Sequence, residues 1–392
     1  MNISFNIQPT ILILLGISFA VTLLFILYDF LRLKSLKNSL KKSNLLKNRK
    51  NDNIEGVTVV IYADNDAKYL NQNLPLILNQ DYPLFEVIVV CNGKDDSTID
   101  IIDKYAITHS NLHSSFIPDD ARNLSRKKLA LMLGIKAAAF DIIITTNGNC
   151  FPNTPQWISS IAQHFQEGID VVIGHSLPMG EVAQLSRYQR FITQENSIKY
   201  LSQAILGKPY RGTSDNLAYR KSTFFNNKGF SHSMHLHHGE DDLFINEIAT
   251  NANTHVVLSH ESTVMAKYSY IRDTFRNTKL RRNFTENMIR SIAFPLTTLK
   301  DFSIFLISIT SIIAICLDYT NLVTIIATIL IAIFWLSTYL LIQHKNYQII
   351  HISDISIFSP FFAFCKPLSE MMYKIRSRRH KTSNYTWQPL HK

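Results

Sequence analysis

Three consecutive carboxylates, Glu240-Asp241-Asp242, form the densest group of side chains that could move a proton. Adjacent carboxylates raise one another's pKa values, which suits a general base that works near neutral pH. The run also precedes the apolar residues 243–249, where acidic side chains would stabilise a helix N-terminus. The residues alone leave both interpretations open. Four histidines come just before the run, and for them we expect a pH-sensitive loop rather than a zinc site: His232, His235, His237 and His238.

Basic side chains at other positions could bind phosphate groups. Arg281 and Arg282 are adjacent, and guanidinium groups bind phosphate oxygens through paired hydrogen bonds. Lys127 begins a helical pattern and could approach a ligand. Simpler explanations stay open, because basic residues are common beside membrane segments and a helical lysine is often solvated. The sequence has no glycine-rich phosphate loop, and its four cysteines lack the spacing of a zinc ribbon or a disulfide scaffold.

Runs of β-branched residues alternate with helical patterns along the chain. The strands and helices that they predict would position the carboxylates and basic side chains described above. The runs cover residues 57–62, 85–90, 141–146 and 171–174, and helical patterns cover 127–140 and 157–166. This alternation predicts an α/β domain with a mostly parallel sheet and helices on both faces. Ligands bind at the carboxyl ends of such strands, which here are residues 63–66, 91–98 and 147–152.

Composition indicates a domain attached to a membrane. Of the 392 residues, 18% are charged, against about 25% in typical soluble chains, and the net charge is +10. Residues 10–31 form an apolar run long enough to cross a hydrocarbon layer of ~30 Å, and we expect a retained anchor rather than a signal peptide. Residues 302–317 and 322–342 form two further apolar runs, which predict a membrane hairpin. Basic clusters near residues 32–50 and 366–381 place both regions in the cytoplasm, and nothing in the sequence indicates nucleic-acid binding.

These features predict five segments. They are an N-terminal transmembrane anchor over 1–31, a basic linker over 32–54, a soluble α/β domain over 55–300, a transmembrane hairpin over 301–342, and an interfacial helix with a basic cytoplasmic tail over 343–392. His351, Asp354 and Pro360 interrupt the apolar stretch 349–365. We therefore expect this stretch to lie at the membrane interface rather than to form a fourth span.

Seven segments of the predicted soluble domain form an ordered series of motifs: Tyr62-Ala63-Asp64-Asn65-Asp66, the loop 91–98 that begins Cys91-Asn92-Gly93, the helix 127–134 that begins Lys127-Lys128-Leu129-Ala130, Asn147-Gly148-Asn149-Cys150, the segment 212–221 that begins Gly212-Thr213-Ser214-Asp215-Asn216, Gly239-Glu240-Asp241-Asp242, and Lys279-Leu280-Arg281-Arg282. In this order the segments resemble those of a membrane-anchored, bacterial-type family 2 glycosyltransferase with a GT-A fold. The resemblance covers about the whole soluble domain.

The resemblance implies a role for each segment. Asp241 corresponds to the general base, and Glu240 and Asp242 flank it as catalytic residues. The implied donor-binding residues are Ala63, Asn65, Asp66, Asn92, Asp96, Lys127, Asn147, Asn149, Arg281 and Arg282. The implied acceptor-binding residues are Gly212, Ser214 and Asn216.

The sequence departs from the family pattern at the donor site. Asn147 and Asn149 replace the two aspartates of the family's D-x-D element, which carries Mg²⁺ or Mn²⁺, and Asn92 replaces another aspartate. The Gln and Trp that flank the family's arginine are also missing around Arg282. Because amides bind hard divalent cations weakly, any metal would be held weakly, with Asn149 as its implied ligand. We therefore expect weak or absent metal dependence, with Arg281, Arg282 and Lys127 supplying positive charge.

The resemblance implies an inverting glycosyltransferase that moves a sugar from a nucleotide-sugar to a lipid-linked or growing cell-envelope glycan. It implies a multi-pass protein of the inner (cytoplasmic) membrane with its catalytic domain in the cytoplasm. Three spans favour the addition of one or a few sugars over synthesis and export of a polymer. The Asn-Gly-Asn element motivates an alternative, a catalytically degenerate subunit that binds or scaffolds in polysaccharide assembly.

Overall fold

The computed structural model describes residues 8–47, 54–64, 66–93, 96–118, 125–179, 187–267, 272–289, 293–352 and 357–379. The chain divides into two compact units. One comprises Met1–Lys37 with Ile292–Met372, and the other comprises Asn38–Ser291 with Tyr373–Lys392. Helix α1 (Pro9–Lys47) continues from the first unit into the second.

Strands of the second unit form two sheets within the described residues. They are β1 (Val57–Ala63), β2 (Phe85–Cys91), β3 (Leu112–Phe116), β4 (Ile142–Asn147), β5 (Cys150–Pro152), β6 (Val171–Ile173), β7 (Ser176–Met179), β8 (Leu217–Arg220), β9 (Thr254–Val256) and β10 (Val264–Lys267). The larger sheet has the order β3-β2-β1-β4-β8-β6-β9, and the smaller has the order β5-β10-β7. In the larger sheet β8 runs antiparallel to both of its neighbours, while the other pairs are parallel. The predicted mixed, mostly parallel sheet is confirmed.

Helices lie between the strands along the chain. They are α2 (Ala67–Leu78), α3 (Asp96–Ala106), α4 (Arg126–Ala137), α5 (Trp157–Ala162), α6 (Arg187–Ile205), α7 (Lys221–Asn226), α8 (Leu243–Ile248) and α9 (Arg272–Glu286). Residues 57–61 of β1 are all buried, as expected for a central strand that is covered on both faces. A Cβ atom on Gly134 of α4 would lie 2.5 Å from Cγ1 of Val60, so glycine allows this helix to pack closely on the sheet.

The strand ends place polar residues at one edge of the sheet. Tyr62 of β1 pairs in register with Asn147 of β4, and β1 and β4 are parallel. Ser125 caps α4, because its hydroxyl oxygen accepts the backbone N–H of Lys128 at 3.4 Å. The first turn of α4 therefore begins with Arg126, Lys127 and Lys128.

Helix α1 is longer than the apolar run that predicts it. The predicted basic linker over 32–54 is helical as far as Lys47, because residues 32–47 contain no proline or glycine that would stop the helix. The last turns of α1 lie against β9, the edge strand of the larger sheet. There the Ser39 hydroxyl donates to the Val256 carbonyl oxygen at 3.2 Å, and Lys42 Nζ lies 2.8 Å from His255 Nε2. Residues 48–53 of the predicted linker lie outside the described residues.

The first unit contains long apolar helices. After α1 they are α10 (Ala293–Leu317) and α11 (Leu322–Ile349), and the more polar α12 (Ser359–Arg379) begins in the same unit. Among the described residues, three helical segments are long and apolar enough to cross a membrane: Pro9–Leu46, Leu299–Leu317 and Leu322–Ile349. The side-chain oxygen of Asn321 accepts the backbone N–H groups of Val323 and Thr324, which fixes the start of α11 after a four-residue turn. Helix α12 begins at Ser359, ten residues after the start of the predicted interfacial stretch 349–365.

Candidate active site

A pocket of ≈ 200 Å³ lies where β4 ends. Its lining contains the three predicted carboxylates, three predicted cations and several hydroxyl groups: Lys127, Asn147, Thr213, Ser214, Asp215, His238, Gly239, Glu240, Asp241, Asp242, Thr278, Arg281, Arg282 and Thr285. These residues come from α4, from the loop before β8, from the segment before α8, and from α9. Elements far apart in sequence therefore meet at one site.

Asp242 is held in place by three hydrogen bonds. Its Oδ1 accepts the backbone N–H of Leu243 at 2.7 Å, so it caps α8, as the structural interpretation of the acidic run predicts. Its Oδ2 accepts from Arg211 Nη2 at 3.0 Å and from the Thr285 hydroxyl. Asp242 is 3% exposed, and these partners leave it little freedom to accept a substrate proton.

The buried Glu240 forms an ion pair with the partly buried Lys127. Lys127 Nζ lies 3.3 Å from Glu240 Oε1 and donates to the Ser214 hydroxyl at 2.7 Å. Burial favours the neutral form of Glu240, but Lys127 and His238 outweigh it and lower the pKa of Glu240. Burial also opposes the charge of Lys127, while Glu240 and Asp241 raise its pKa above the usual value. Both members of the pair are therefore charged at neutral pH.

Asp241 differs from its two neighbours. Its Oδ2 accepts the backbone N–H of Ser214 at 3.3 Å, and its carbonyl oxygen accepts that of Gly212 at 2.7 Å. Burial raises the pKa of Asp241 to about 7, and the charges of Glu240 and Asp242 act in the same direction. Like-charge repulsion was the cause expected from sequence, and burial is the larger one. Asp241 is thus the carboxylate of the run that can bind and release a proton near neutrality.

His237 and His238 do not carry the pH-sensitive charge that was expected of the histidine segment. Burial lowers the pKa of His238 to about 4, and Arg281 and Lys127 contribute to the lowering. Burial and the charge of Arg281 also lower the pKa of His237. Both rings are therefore neutral at physiological pH, because a protonated imidazole would lie among cations in a poorly solvated place.

The predicted acceptor residues separate into two groups. Gly212 and Ser214 contact Asp241 through their backbone N–H groups, as described above. Asn216 has no exposed surface, and its amide donates to the carbonyl oxygens of His175 at 2.9 Å and Ser262 at 2.7 Å. Its Oδ1 accepts from Trp157 Nε1 at 3.1 Å. Asn216 therefore joins loops inside the core and does not line the pocket.

Several predicted donor residues lie at the ends of β1 and β2, outside the lining of this pocket. The Ala63 carbonyl oxygen accepts the backbone N–H of Asn92 at 2.8 Å. The Asn92 side chain donates to Asp64 at 2.7 Å and accepts from Arg126. Burial raises the pKa of Asp66 to about 6. Asn65 lies outside the described residues, and Asp96 begins α3 with its side chain outside them.

A carboxylate lies beside Asn147 that sequence order did not reveal. Asn147 Nδ2 donates to Asp215 Oδ1 at 2.6 Å, and the Ser176 hydroxyl donates to Asp215 Oδ2 at 2.7 Å. Asp215 directly follows Ser214, which the sequence predicted as an acceptor-binding residue. This adjacency was the one sequence feature that could have identified Asp215 as a site residue. Asn149 instead donates to the Lys267 carbonyl oxygen at 2.7 Å.

This donor set does not fit a tightly held divalent cation. It offers two amides and one carboxylate whose oxygens already accept hydrogen bonds, and hard cations prefer several charged oxygens. The cation Lys127 lines the same pocket. Among the described residues no group of three or more His, Cys, Asp or Glu side chains is arranged to hold a metal ion.

Comparison with known proteins identifies relatives that match part of this chain. Residues 58–228 match the model of glycosyl transferase family 2. The chain is 28% identical over 145 residues to glycosyltransferase AglE of Haloferax volcanii, covering 36% of this chain and 46% of that protein. It is 30% identical over 93 residues to poly-beta-1,6-N-acetyl-D-glucosamine synthase of Staphylococcus aureus, covering 24% of this chain and 21% of that protein. These matches span less than half of either relative.

One solved structure resembles most of the chain. The mannosyltransferase PcManGT from Pyrobaculum calidifontis, in complex with GDP-Man and Mn²⁺, aligns with 91% of this chain and 99% of its own. The TM-score is 0.51 and the sequence identity is 13%, so this likeness concerns the fold alone. The sequence-based resemblance is confirmed: residues 58–228 match the model of glycosyl transferase family 2 and lie in a unit that has the GT-A fold.

Proposed function

We propose that this chain transfers a sugar, with inversion, from a nucleotide-sugar to a lipid-linked or growing cell-envelope glycan. The observation that supports it most is the pocket, where Asp241 lies among three cations, Lys127, Arg281 and Arg282. A base and a group of cations are what this reaction needs, because a proton leaves the acceptor while negative charge develops on the departing diphosphate.

The proposed step begins with an acceptor hydroxyl group beside Asp241. The Asp241 carboxylate takes the hydroxyl proton as the oxygen forms its bond to the anomeric carbon of the donor sugar. The bond between that carbon and the diphosphate oxygen breaks on the opposite face, and the electron pair leaves with the nucleoside diphosphate. Lys127, Arg281 and Arg282 stabilise the charge on the leaving group.

The other two carboxylates support this step without accepting the proton. Glu240 holds Lys127 at the pocket through their ion pair. Asp242 fixes the start of α8 and Arg211. Both also raise the pKa of Asp241, which makes its carboxylate a better base near neutral pH.

A divalent cation, when bound in a GT-A enzyme, neutralises charge on the donor diphosphate. In this chain Asp215 with Asn147 would be the residues to hold it, and the donor set described above does not suit tight binding. The proposed step therefore relies on the side-chain cations.

The growing-glycan acceptor is supported by one relative. The relative from Staphylococcus aureus is named as a synthase of a polymer of N-acetylglucosamine. The match covers 21% of that protein. The acceptor and the number of sugars added to it are therefore proposed for this chain.

A panel of nucleotide-sugars tests the proposed function. The purified chain should be stabilised against thermal unfolding by at least one member of the panel, and it should slowly hydrolyse the same compound in the absence of acceptor. Absence of both effects across the panel would instead favour a binding or scaffolding subunit.

We also propose a topology for the three candidate spans. Residues 32–300 and 343–392 would lie in the cytoplasm, and residues 318–321 outside, because lysine and arginine accumulate on the cytoplasmic side of membrane proteins. Reporters fused after residue 50 and after residue 381 should both give cytoplasmic signals. A reporter within 318–321 that also gave a cytoplasmic signal would exclude the hairpin.

Transferase activity should depend only weakly on a divalent cation in the natural chain, and it should depend strongly on one in the Asn147→Asp variant. Asn147→Asp would put a second carboxylate beside Asp215, and such a pair can share a divalent cation. Asn149→Asp is the matched control, because that side chain bonds to the Lys267 carbonyl oxygen. We expect chelator to reduce wild-type activity modestly and Asn147→Asp activity strongly. Complete loss of wild-type activity with EDTA, restored by Mn²⁺, would contradict this expectation.

A further inference from the structure

Lys128 is a buried ammonium group that the proposed step does not use. It follows Lys127 in the first turn of α4, but the two side chains have different surroundings. Lys127 lines the pocket, whereas Lys128 does not and has no exposed surface. A buried charge persists only where other groups replace its water, so its partners indicate what it does.

The partners of Lys128 all belong to one short segment, residues 233–238. Nζ donates to the carbonyl oxygens of Ser233, of Leu236 at 3.3 Å and of His238 at 2.8 Å, and to the Ser233 hydroxyl at 3.1 Å. Since an ammonium group has three protons, these four oxygens use its full donor capacity. Lys128 therefore binds the backbone of this segment at several points.

The helix cap adds a second attachment to the same segment. The Ser125 hydroxyl donates to the His237 carbonyl oxygen at 2.7 Å. At the start of α4, Ser125 and Lys128 thus donate hydrogen bonds to four carbonyl oxygens of this segment, those of Ser233, Leu236, His237 and His238. The chain then turns at Gly239, whose φ of +113° suits glycine, and continues directly into Glu240 and Asp241.

We infer that Lys128 is a positioning residue, which fixes the backbone of residues 233–238 and thereby places the Glu240 and Asp241 carboxylates at the pocket. This inference rests on the proposed function for its catalytic consequence. Its structural content, the attachment of the segment to α4, stands on the hydrogen bonds alone.

The charge of Lys128 also acts on the carboxylates. Burial lowers the pKa of Lys128 to about 8, while the negative groups that face it oppose the lowering: Glu240 and Asp242, Glu247 of α8, and Asp241. Lys128 is in turn one of the groups that lower the pKa of Glu240. Removal of this charge should therefore move the acid limb of the pH–rate profile to higher pH, because carboxylates that lose a nearby cation are harder to ionise.

The test compares Lys128→Met with Lys136→Met, which removes an exposed lysine from the last turn of the same helix. Hydrogen exchange measured by mass spectrometry should accelerate in peptides that cover residues 231–241 of Lys128→Met. The turnover number should fall by roughly 10-fold to 10²-fold, as expected for a small displacement of catalytic groups, while the KM for the donor changes little. The acid limb should move upward. Lys136→Met should show none of these changes.

Lys128→Gln serves if the methionine variant does not fold, because the amide can still donate to carbonyl groups but carries no charge. It should shift the acid limb with a smaller effect on exchange. Unchanged exchange in residues 231–241 would overturn the inference, and so would faster exchange with unchanged turnover and an unshifted limb. A wild-type chain without transferase activity would contradict the proposed function, and the exchange measurement would still test the attachment.

Discussion

Replacement of Asp241 by asparagine should remove nearly all sugar transfer while donor binding stays nearly intact. The amide keeps the size of the side chain and its oxygen can still accept the backbone N–H of Ser214, but the amide cannot accept the acceptor proton. Loss of a general base typically costs about 10²–10⁴ in rate. Transfer to acceptor and thermal stabilisation by the donor should be measured on the same preparation.

Asp103→Asn is the matched control, because Asp103 is exposed on α3 and does not line the pocket. It removes the same charge and should leave turnover unchanged. Near-normal turnover in Asp241→Asn would require another base. Asp242 is a poor substitute because Arg211, Thr285 and the start of α8 already occupy its oxygens.

The same carboxylate determines the expected pH dependence. Since burial raises the pKa of Asp241 to about 7, the proton-accepting form increases as the pH rises through neutrality. Wild-type activity should rise over that range, and the residual activity of Asp241→Asn should lack this limb.

Replacement of Arg282 by alanine should reduce turnover by about 10²–10³, the usual cost of removing one group that stabilises developing charge. Arg282 lies on α9 and lines the pocket with Arg281 and Lys127. Because the proposed donor site is poor in metal ligands, these cations must stabilise the negative charge on the departing diphosphate. The effect should appear mainly in kcat, because that charge is largest in the transition state.

Arg276→Ala provides the control for this substitution. Arg276 lies on the same helix, is exposed and does not line the pocket. Full activity of Arg276→Ala beside a severe loss in Arg282→Ala would support a specific role. Equal losses in both variants would indicate that α9 depends on its overall charge.

Features that depend on local sequence were predictable. The β-branched runs became β1, β2, β4 and β6, and burial of successive residues in β1 explains why a continuous apolar run predicts a central strand. The acidic run was also visible, but sequence could not separate its members. Asp242 became a helix cap and Glu240 an ion-pair partner because Arg211 and Lys127, distant in sequence, lie next to them.

Features that depend on long-range contacts were not predictable. The Asp215 carboxylate is held by hydrogen bonds from Asn147 and Ser176, which are 68 and 39 residues away along the chain. Asn216, its neighbour, looked like an acceptor ligand and instead joins Trp157 to two loops of the core. No periodicity or spacing contains this information, because it follows from how the loops meet at the sheet edge.

The contact between α1 and β9 has a practical consequence for preparing a water-soluble fragment. An edge strand exposes backbone groups that can pair with another molecule and lead to aggregation. Here Ser39 and Lys42 cover part of β9. A fragment that begins after residue 50 would uncover that edge, whereas one that begins near residue 38 would keep it covered while omitting the whole apolar run 10–31. The longer fragment should remain monomeric at concentrations where the shorter one associates, which light scattering would detect.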